Sequence, residues 1–195
     1  MNNVILAAAI AGSASAASAQ NFSLSIVPST TIISPSSSFT LSVYGDADVG
    51  THLLGGAFSI DSNGDCVQSM QWTPAAWSAF NTDGGYAGGG DYNQVVFGQL
   101  VIPGIFPPAP GSENGSLIGS FFVQMDPAIG DFSINFQLVA GSPFTLETVD
   151  AVTGDTYQSS SGNLTLGSAT VSVIPAPGVV SLLGMGGLMC TRRRR

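Results

Sequence analysis

Phe132-Ser-Ile-Asn-Phe-Gln-Leu138 alternates large apolar and polar side chains without a break. Successive side chains of an extended strand point to opposite faces, so this run buries one face and wets the other. The same period recurs in Phe22-Ser-Leu-Ser-Ile-Val27 and in Phe39-Thr-Leu-Ser-Val-Tyr44, the latter entered from Ser-Pro-Ser-Ser-Ser at 34–38. Working outward, strands are expected at 53–60, 66–72, 92–102, 117–125, 144–149 and 164–174, about nine in all, with Gly55 and Gly56 marking a bulge. Between them lie Asp61-Ser-Asn-Gly-Asp65, Asn81-Thr-Asp-Gly-Gly85, Gly88-Gly-Gly-Asp91 and Gly111-Ser-Glu-Asn-Gly115, residue types that favour tight turns. Four prolines in 103–110 make that stretch an extended loop. One short helix is expected at 74–80, with Thr73 as N-cap and Pro74 in the first turn. Neither a repeat nor a linker divides residues 20–173, so the fold class expected is all-β, a single β-sandwich of jelly-roll type.

The charge inventory narrows the function. Of 195 residues 44% are apolar and only 8% charged: twelve Asp and Glu, no Lys, and four Arg that are the last four residues. Positions 1–191 carry no fixed cationic side chain. Neutralising phosphates needs Lys or Arg, so nucleic-acid binding by the body is excluded, as are a P-loop lysine and a Schiff-base lysine. One histidine, His52, supports neither a Ser-His-Asp triad nor a multi-histidine zinc site, and a strand histidine with its polar atoms satisfied is expected. Removal of the arginines would leave the acids unopposed and take the net charge from −8 to −12.

Both ends carry address signals. Residues 4–11, VILAAAIA, form a short apolar run followed by GSASAASAQ. Ala17-Ser18-Ala19 fits the A-x-A site of a secretory signal peptide, with cleavage before Gln20, although Met1-Asn2-Asn3 contributes only the α-amine as positive charge. Domain boundaries are therefore expected at 1–19, 20–173 and 174–195. The last segment reads IPAPGVVSLLGMGGLMCTRRRR, with an apolar membrane segment at 179–191 and a basic tail at 192–195. Arginines hold such a tail on the cytoplasmic side. Val179–Cys190 would span only about 18 Å as a helix, and Gly184, Gly186 and Gly187 weaken it, which suits a transient anchor better than a permanent one.

This tail resembles a PEP-CTERM sorting signal. Pro175, Pro177 and Gly178 match its proline motif and Arg192, Arg193, Arg194 and Arg195 its basic end, while Ala176 stands where that family has Glu. The Pro-Ala-Pro form is similar to a variant of planctomycete proteins. The resemblance implies export, handling by signal peptidase and then by exosortase, a membrane-embedded transpeptidase, and residence at the cell surface or in extracellular polysaccharide. The body in turn resembles the cohesin-like sandwich of many PEP-CTERM proteins, through Ser36-Ser-Ser-Phe-Thr-Leu-Ser-Val43 and Gly115-Ser-Leu-Ile-Gly-Ser-Phe-Phe-Val123. That likeness implies fold alone. Processing would also remove Cys190, leaving Cys66 with no intramolecular disulfide partner; a buried apolar filler is expected there.

Four candidate chemistries follow from the residues. Asp61, Asn63 and Asp65 open a D-x-N-x-D calcium loop, but Cys66 and Trp72 occupy the sixth and twelfth places, so it is no EF-hand, and the same residue types build a metal-free turn. Trp72, Trp77, Phe80, Tyr86 and Tyr92 crowd beside glycine-rich loops, where flat rings can stack on sugars or fill the core; Trp77 and Tyr86 are the candidates for an exposed, polysaccharide-binding pair. Asp61, Asp65, Asp126 and Asp131 are the only acids that could pair as in a glycosidase, and no catalytic motif accompanies them. Sequons at Asn21, Asn114 and Asn163 matter only in a host that glycosylates them. The function expected is an exported, non-catalytic surface or matrix protein with a structural or adhesive sandwich. The alternatives are a secreted carbohydrate-active enzyme and a calcium-stabilised adhesin.

Overall fold

The computed structural model describes residues 20–127 and 133–174. In chain order the strands are β1 (Asn21–Pro28), β2 (Ile32–Ile33), β3 (Ser38–Ala47), β4 (His52–Ser62), β5 (Val67–Pro74), β6 (Tyr86–Gly88) and β7 (Asp91–Gly98). There follow β8 (Leu117–Met125), β9 (Ser133–Ala140), β10 (Glu147–Val149), β11 (Thr156–Gln158), β12 (Asn163–Leu166) and β13 (Ser168–Val173). One sheet has the order β12-β1-β3-β8-β5. In the other, β7 and then β6 line one edge of β4, while β10 and β9 share the opposite edge, β10 pairing on with β11 and β9 with β13 and then β2.

Alternation decides which side chains face inward. In β1 these are Phe22, Leu24 and Ile26; in β3, Phe39, Leu41 and Val43; in β9, Ile134, Phe136 and Leu138, while Asn135 and Gln137 face outward. Each such side chain contributes about 1.5–3 kcal/mol by leaving water. The seam is aromatic at its centre. Phe121 has no exposed surface, and its ring centroid lies 4.6 Å from Trp72, 4.8 Å from Tyr92 and 6.2 Å from Phe58. Phe58 and Trp72 meet edge to face at 5.7 Å, tying β4 of one sheet to β5 of the other.

The all-β sandwich expected from the sequence is thus the fold, with changes of detail. The segment 164–174 is two strands, because the chain crosses at Gly167 from a parallel pairing of β12 with β1 to an antiparallel pairing of β13 with β9. The strand expected over 92–102 stops at Gly98, and 144–149 narrows to β10. No helix forms at 74–80: Trp77 turns into the core instead, and the described residues hold only a 3-10 turn, Ser159–Ser161. The bulge expected at Gly55 and Gly56 is displaced: β4 changes register against β10 between Leu53 and Gly55, while Gly55 and Gly56 pair regularly with Gly98 and Phe97. A Cβ at Gly56 would overlap the Thr145 carbonyl, so this crossing of two backbones requires glycine. Phe132, Asp131, the signal-peptide residues Ala17 and Ala19, and the sorting residues 175–195 lie outside the described residues. Among the described residues no helix is long and apolar enough to cross a membrane.

Candidate functional site

Most rings of the aromatic cluster at 72–92 face inward. Trp77 is only 4% exposed: its ring meets Phe97 edge to face at 6.1 Å and its Nε1 donates to the Leu117 carbonyl at 2.7 Å. Tyr86 is half-buried, its hydroxyl donating to Val67 O at 2.6 Å and accepting from Gly90 N–H at 3.2 Å. The exposed pair expected at Trp77 and Tyr86 is therefore corrected: Trp77 packs into the core against β7 and β8, and Tyr86 ties β6 to the start of β5. Tyr92 packs inward from β7 against Phe121. It is buried, donates to Asp83 Oδ1 at 2.7 Å, and has its phenol pushed up to about 12, first by burial and then by the Asp83 carboxylate. Phe80 is the one large ring of the cluster that stays in solvent.

The acids are engaged in holding loops. Asp91 Oδ1 accepts from Ser62 N–H at 2.6 Å, and Asn63 Oδ1 accepts from Asn135 N–H at 2.8 Å, pinning the 61–65 turn against β7 and β9. Asp61 and Asp65 are exposed on that turn, and the Asn63 oxygen needed by a calcium loop is already committed to the backbone. Asp126 lies at the far end of β8, where its N–H donates to Cys66 O at 2.9 Å; Cys66 is buried, as expected. Asp48 accepts from both Asn21 N–H and Asn21 Nδ2, at 2.9 and 2.6 Å, and these bonds hold its carboxyl below the usual carboxylate range. An open cleft of about 310 Å³ beside it is lined by Asn21, Asp46, Asp48 and Thr165, with both Asp48 oxygens occupied. Among the described residues no three His, Cys, Asp or Glu side chains converge as a metal cluster. His52 is half-buried on β4, its Nδ1 2.9 Å from Thr51 Oγ1.

The exposed chemistry lies elsewhere, at the end of the sandwich where β7 gives way to the proline-rich loop. Leu100, Ile102, Ile105 and Phe106 are exposed, Ile105 by 67% and Phe106 by 51%. The loop is not slack. Ile102 and Phe106 form a β-bridge at 2.8 Å in both directions, Gln99 Nε2 donates to Leu53 O, and Gln99 Oε1 accepts from Ala109 N–H. The turn 150–155 packs beside it, since a Cβ on Gly154 would stand 2.8 Å from Pro103 Cγ. That turn is itself fixed: Asp150 Oδ1 accepts from the N–H groups of Val152 and Thr153, which lowers its carboxyl below the ordinary range. Val152, 84% exposed, stands on this turn. Phe80, whose N–H donates to Gly98 O, and Val96, bridged to Thr82, extend the exposed apolar surface along β7. The four prolines of 103–110 and the run LVI at 100–102 were the only sequence signals of this feature, and they read as loop and strand end.

Comparison with known proteins establishes fold similarity. No protein-family model matches the chain, and no curated protein matches it. Among solved structures it is similar to the seventh ScaB type I cohesin from Pseudobacteroides cellulosolvens, with a TM-score of 0.52 and 10% identity over 81% of this chain and 94% of that one. A chain of the Coh-OlpA–Doc918 type I cohesin–dockerin complex from Clostridium thermocellum gives 0.51 at 9% identity, covering 78% and 99%. The cohesin module of a Clostridium perfringens family 33 glycoside hydrolase gives 0.50 at 14% identity, covering 81% and 98%. The fold is a cohesin-like β-sandwich.

Proposed function

We propose that the chain is an exported, non-catalytic adhesive module, displayed at the cell surface or in the extracellular matrix after exosortase-type sorting of its C-terminal tail. The observation that carries the adhesive reading is the rigid loop at 99–109, which holds Leu100, Ile102, Ile105 and Phe106 out in water on a sandwich whose other large apolar side chains mostly fill the core. Contiguous exposed apolar surface on a folded domain marks an interaction site. The export and sorting reading rests on Ala17-Ser18-Ala19 and on the tail from Pro175 to Arg195, including Ala176 within the proline motif. Support for a non-catalytic body comes from its acids: Asp48, Asp83, Asp91 and Asp150 each accept a backbone N–H or a tyrosine hydroxyl that fixes a loop. A cohesin-like fold accords with a binding module, since the Clostridium thermocellum neighbour is part of a complex with a dockerin. The exposed surface favours a protein partner over polysaccharide, because Trp72, Trp77 and Tyr92 lie inward and the exposed end is mostly aliphatic.

The test is display on intact cells. Antibody against the body should label unpermeabilised cells, and a chain lacking residues 175–195 should lose surface retention and accumulate in the medium. Labelling only after permeabilisation would overturn the reading.

A further inference from the structure

We infer that the apolar end formed by Leu100, Ile102, Ile105, Phe106 and Val152 docks a protein segment whose apolar face is rimmed by Lys and Arg. The inference rests on the adhesive-module reading and names its partner's chemistry. Three features of the surface select that occupant. First, four of the five apolar side chains are aliphatic and prominent, with Ile105 67% and Val152 84% exposed, and Phe106 is the single ring among them. Such knobs fit a complementary apolar protein face, whereas a sugar ring wants a flat aromatic one. Second, the loops that present them are pinned before any partner arrives, by the Ile102–Phe106 bridge, the two Gln99 amide bonds and the Asp150 turn. Little ordering entropy then remains to oppose docking. Third, the surroundings are acidic and uncompensated. Asp150 and Asp155 stand on the turn that packs against Pro103, Asp83 follows Thr82 beside Val96, and no Lys or Arg occurs anywhere in positions 1–191.

That third feature weighs against competing occupants. A second copy docked about a two-fold axis would bring its own Asp150 and Asp155 against these with no cation between them, and like charges facing each other across an interface repel. An anionic lipid surface or a nucleic acid meets the same repulsion. A segment with Leu, Ile or Val at its centre and Lys or Arg at its margin meets none, and gains from electrostatic steering in the approach.

Two designed amphipathic peptides of equal length and apolar face serve as probes, one with Lys and one with Glu as its polar residues. Binding to the full chain is measured by calorimetry at about 0.05 M and about 0.5 M salt. The Lys peptide should bind at least about tenfold more tightly than the Glu peptide, and weaken at the higher salt. The double variant Ile105→Ser/Phe106→Ser should lose about tenfold or more for the Lys peptide. Both side chains are exposed and their backbone bonds are kept, so the variant's melting temperature should match the parent's. Equal binding of both peptides, no binding of the Lys peptide, or full retention of binding by the double variant would overturn the inference. So would dimerisation that the double variant abolishes, since the occupant would then be a second copy. None of these results bears on surface display, which antibody labelling tests separately.

Discussion

Phe121 and Phe122 are adjacent on β8 and face opposite ways, which makes them a paired test of the sandwich register. Phe121 has no exposed surface and its ring touches Phe58, Trp72 and Tyr92; Phe122 is 47% exposed on the outer face, opposite Thr40 and Gln71. Phe121→Ala removes a buried phenyl and leaves a cavity walled by three other rings, a loss of about 4 kcal/mol. Phe122→Ala forfeits only cross-strand contacts on a wet face, at most about 1 kcal/mol. Urea unfolding followed by the fluorescence of Trp72, whose ring is 4.6 Å from Phe121, reports both. With a slope of about 2 kcal/mol per molar urea, the Phe121 variant should unfold about 2 M earlier than the parent and the Phe122 variant within about 0.5 M of it. A slip of one residue would exchange the two faces. Equal effects, or a larger effect at Phe122, would refute the assignment of β8 and with it the stacking of the two sheets.

Tyr92→Phe should remove an alkaline sensitivity. Because the folded phenol is raised to about 12 from 10.0, the stability it confers is complete below the unfolded value and declines as pH rises from 10 toward 12. The denaturation midpoint should depend less on pH across that window in the variant, and an unchanged pH dependence would contradict the assignment. Gly56→Ala should destabilise by at least about 2 kcal/mol, because the added methyl meets the Thr145 carbonyl on one side and Phe97 Cζ at 3.0 Å on the other; a thermal scan showing no loss would contradict the close crossing of β4 and the β9–β10 chain. Chelator should leave the melting temperature unchanged, since Asn63 Oδ1 serves the Asn135 N–H; a fall on chelation, restored by calcium, would bring the calcium-stabilised adhesin back.

The strands whose period is 2 were the most legible part of this chain. Phe39-Thr-Leu-Ser-Val-Tyr44 and Ser133 to Leu138 stand in the structure as the alternation predicts, because a half-buried strand in an antiparallel sheet imposes that pattern on its residues. Short pairings were illegible for the converse reason. Two residues of β2 and three of β6 or β11 are too few to show a period, and their pairing is decided by which neighbours the fold brings alongside. The turn at 74–80 illustrates tertiary override: Thr73-Pro74 offers a helix start, yet burial of the Trp77 ring against Phe97 and its bond to Leu117 O outweigh it. The same burial governs the other rings of the cluster. Aromatic residues beside glycine loops look alike in sequence whether they stack outward or plug a seam, and only Phe80 faces solvent. The exposed end at 100–106 left almost no local signal, because exposure of an apolar residue depends on which strands fail to cover it.

The intact mass of the protein recovered from the cell surface and the culture medium reads both processing steps at once. It must be taken whole, or after cleavage at Asp, because trypsin finds no site before Arg192. Export and sorting predict a species that begins near Gln20 and ends near Pro177, with any surplus mass belonging to an attached group. A species that still carries Arg192 to Arg195 would contradict sorting and make the chain a retained, tail-anchored protein.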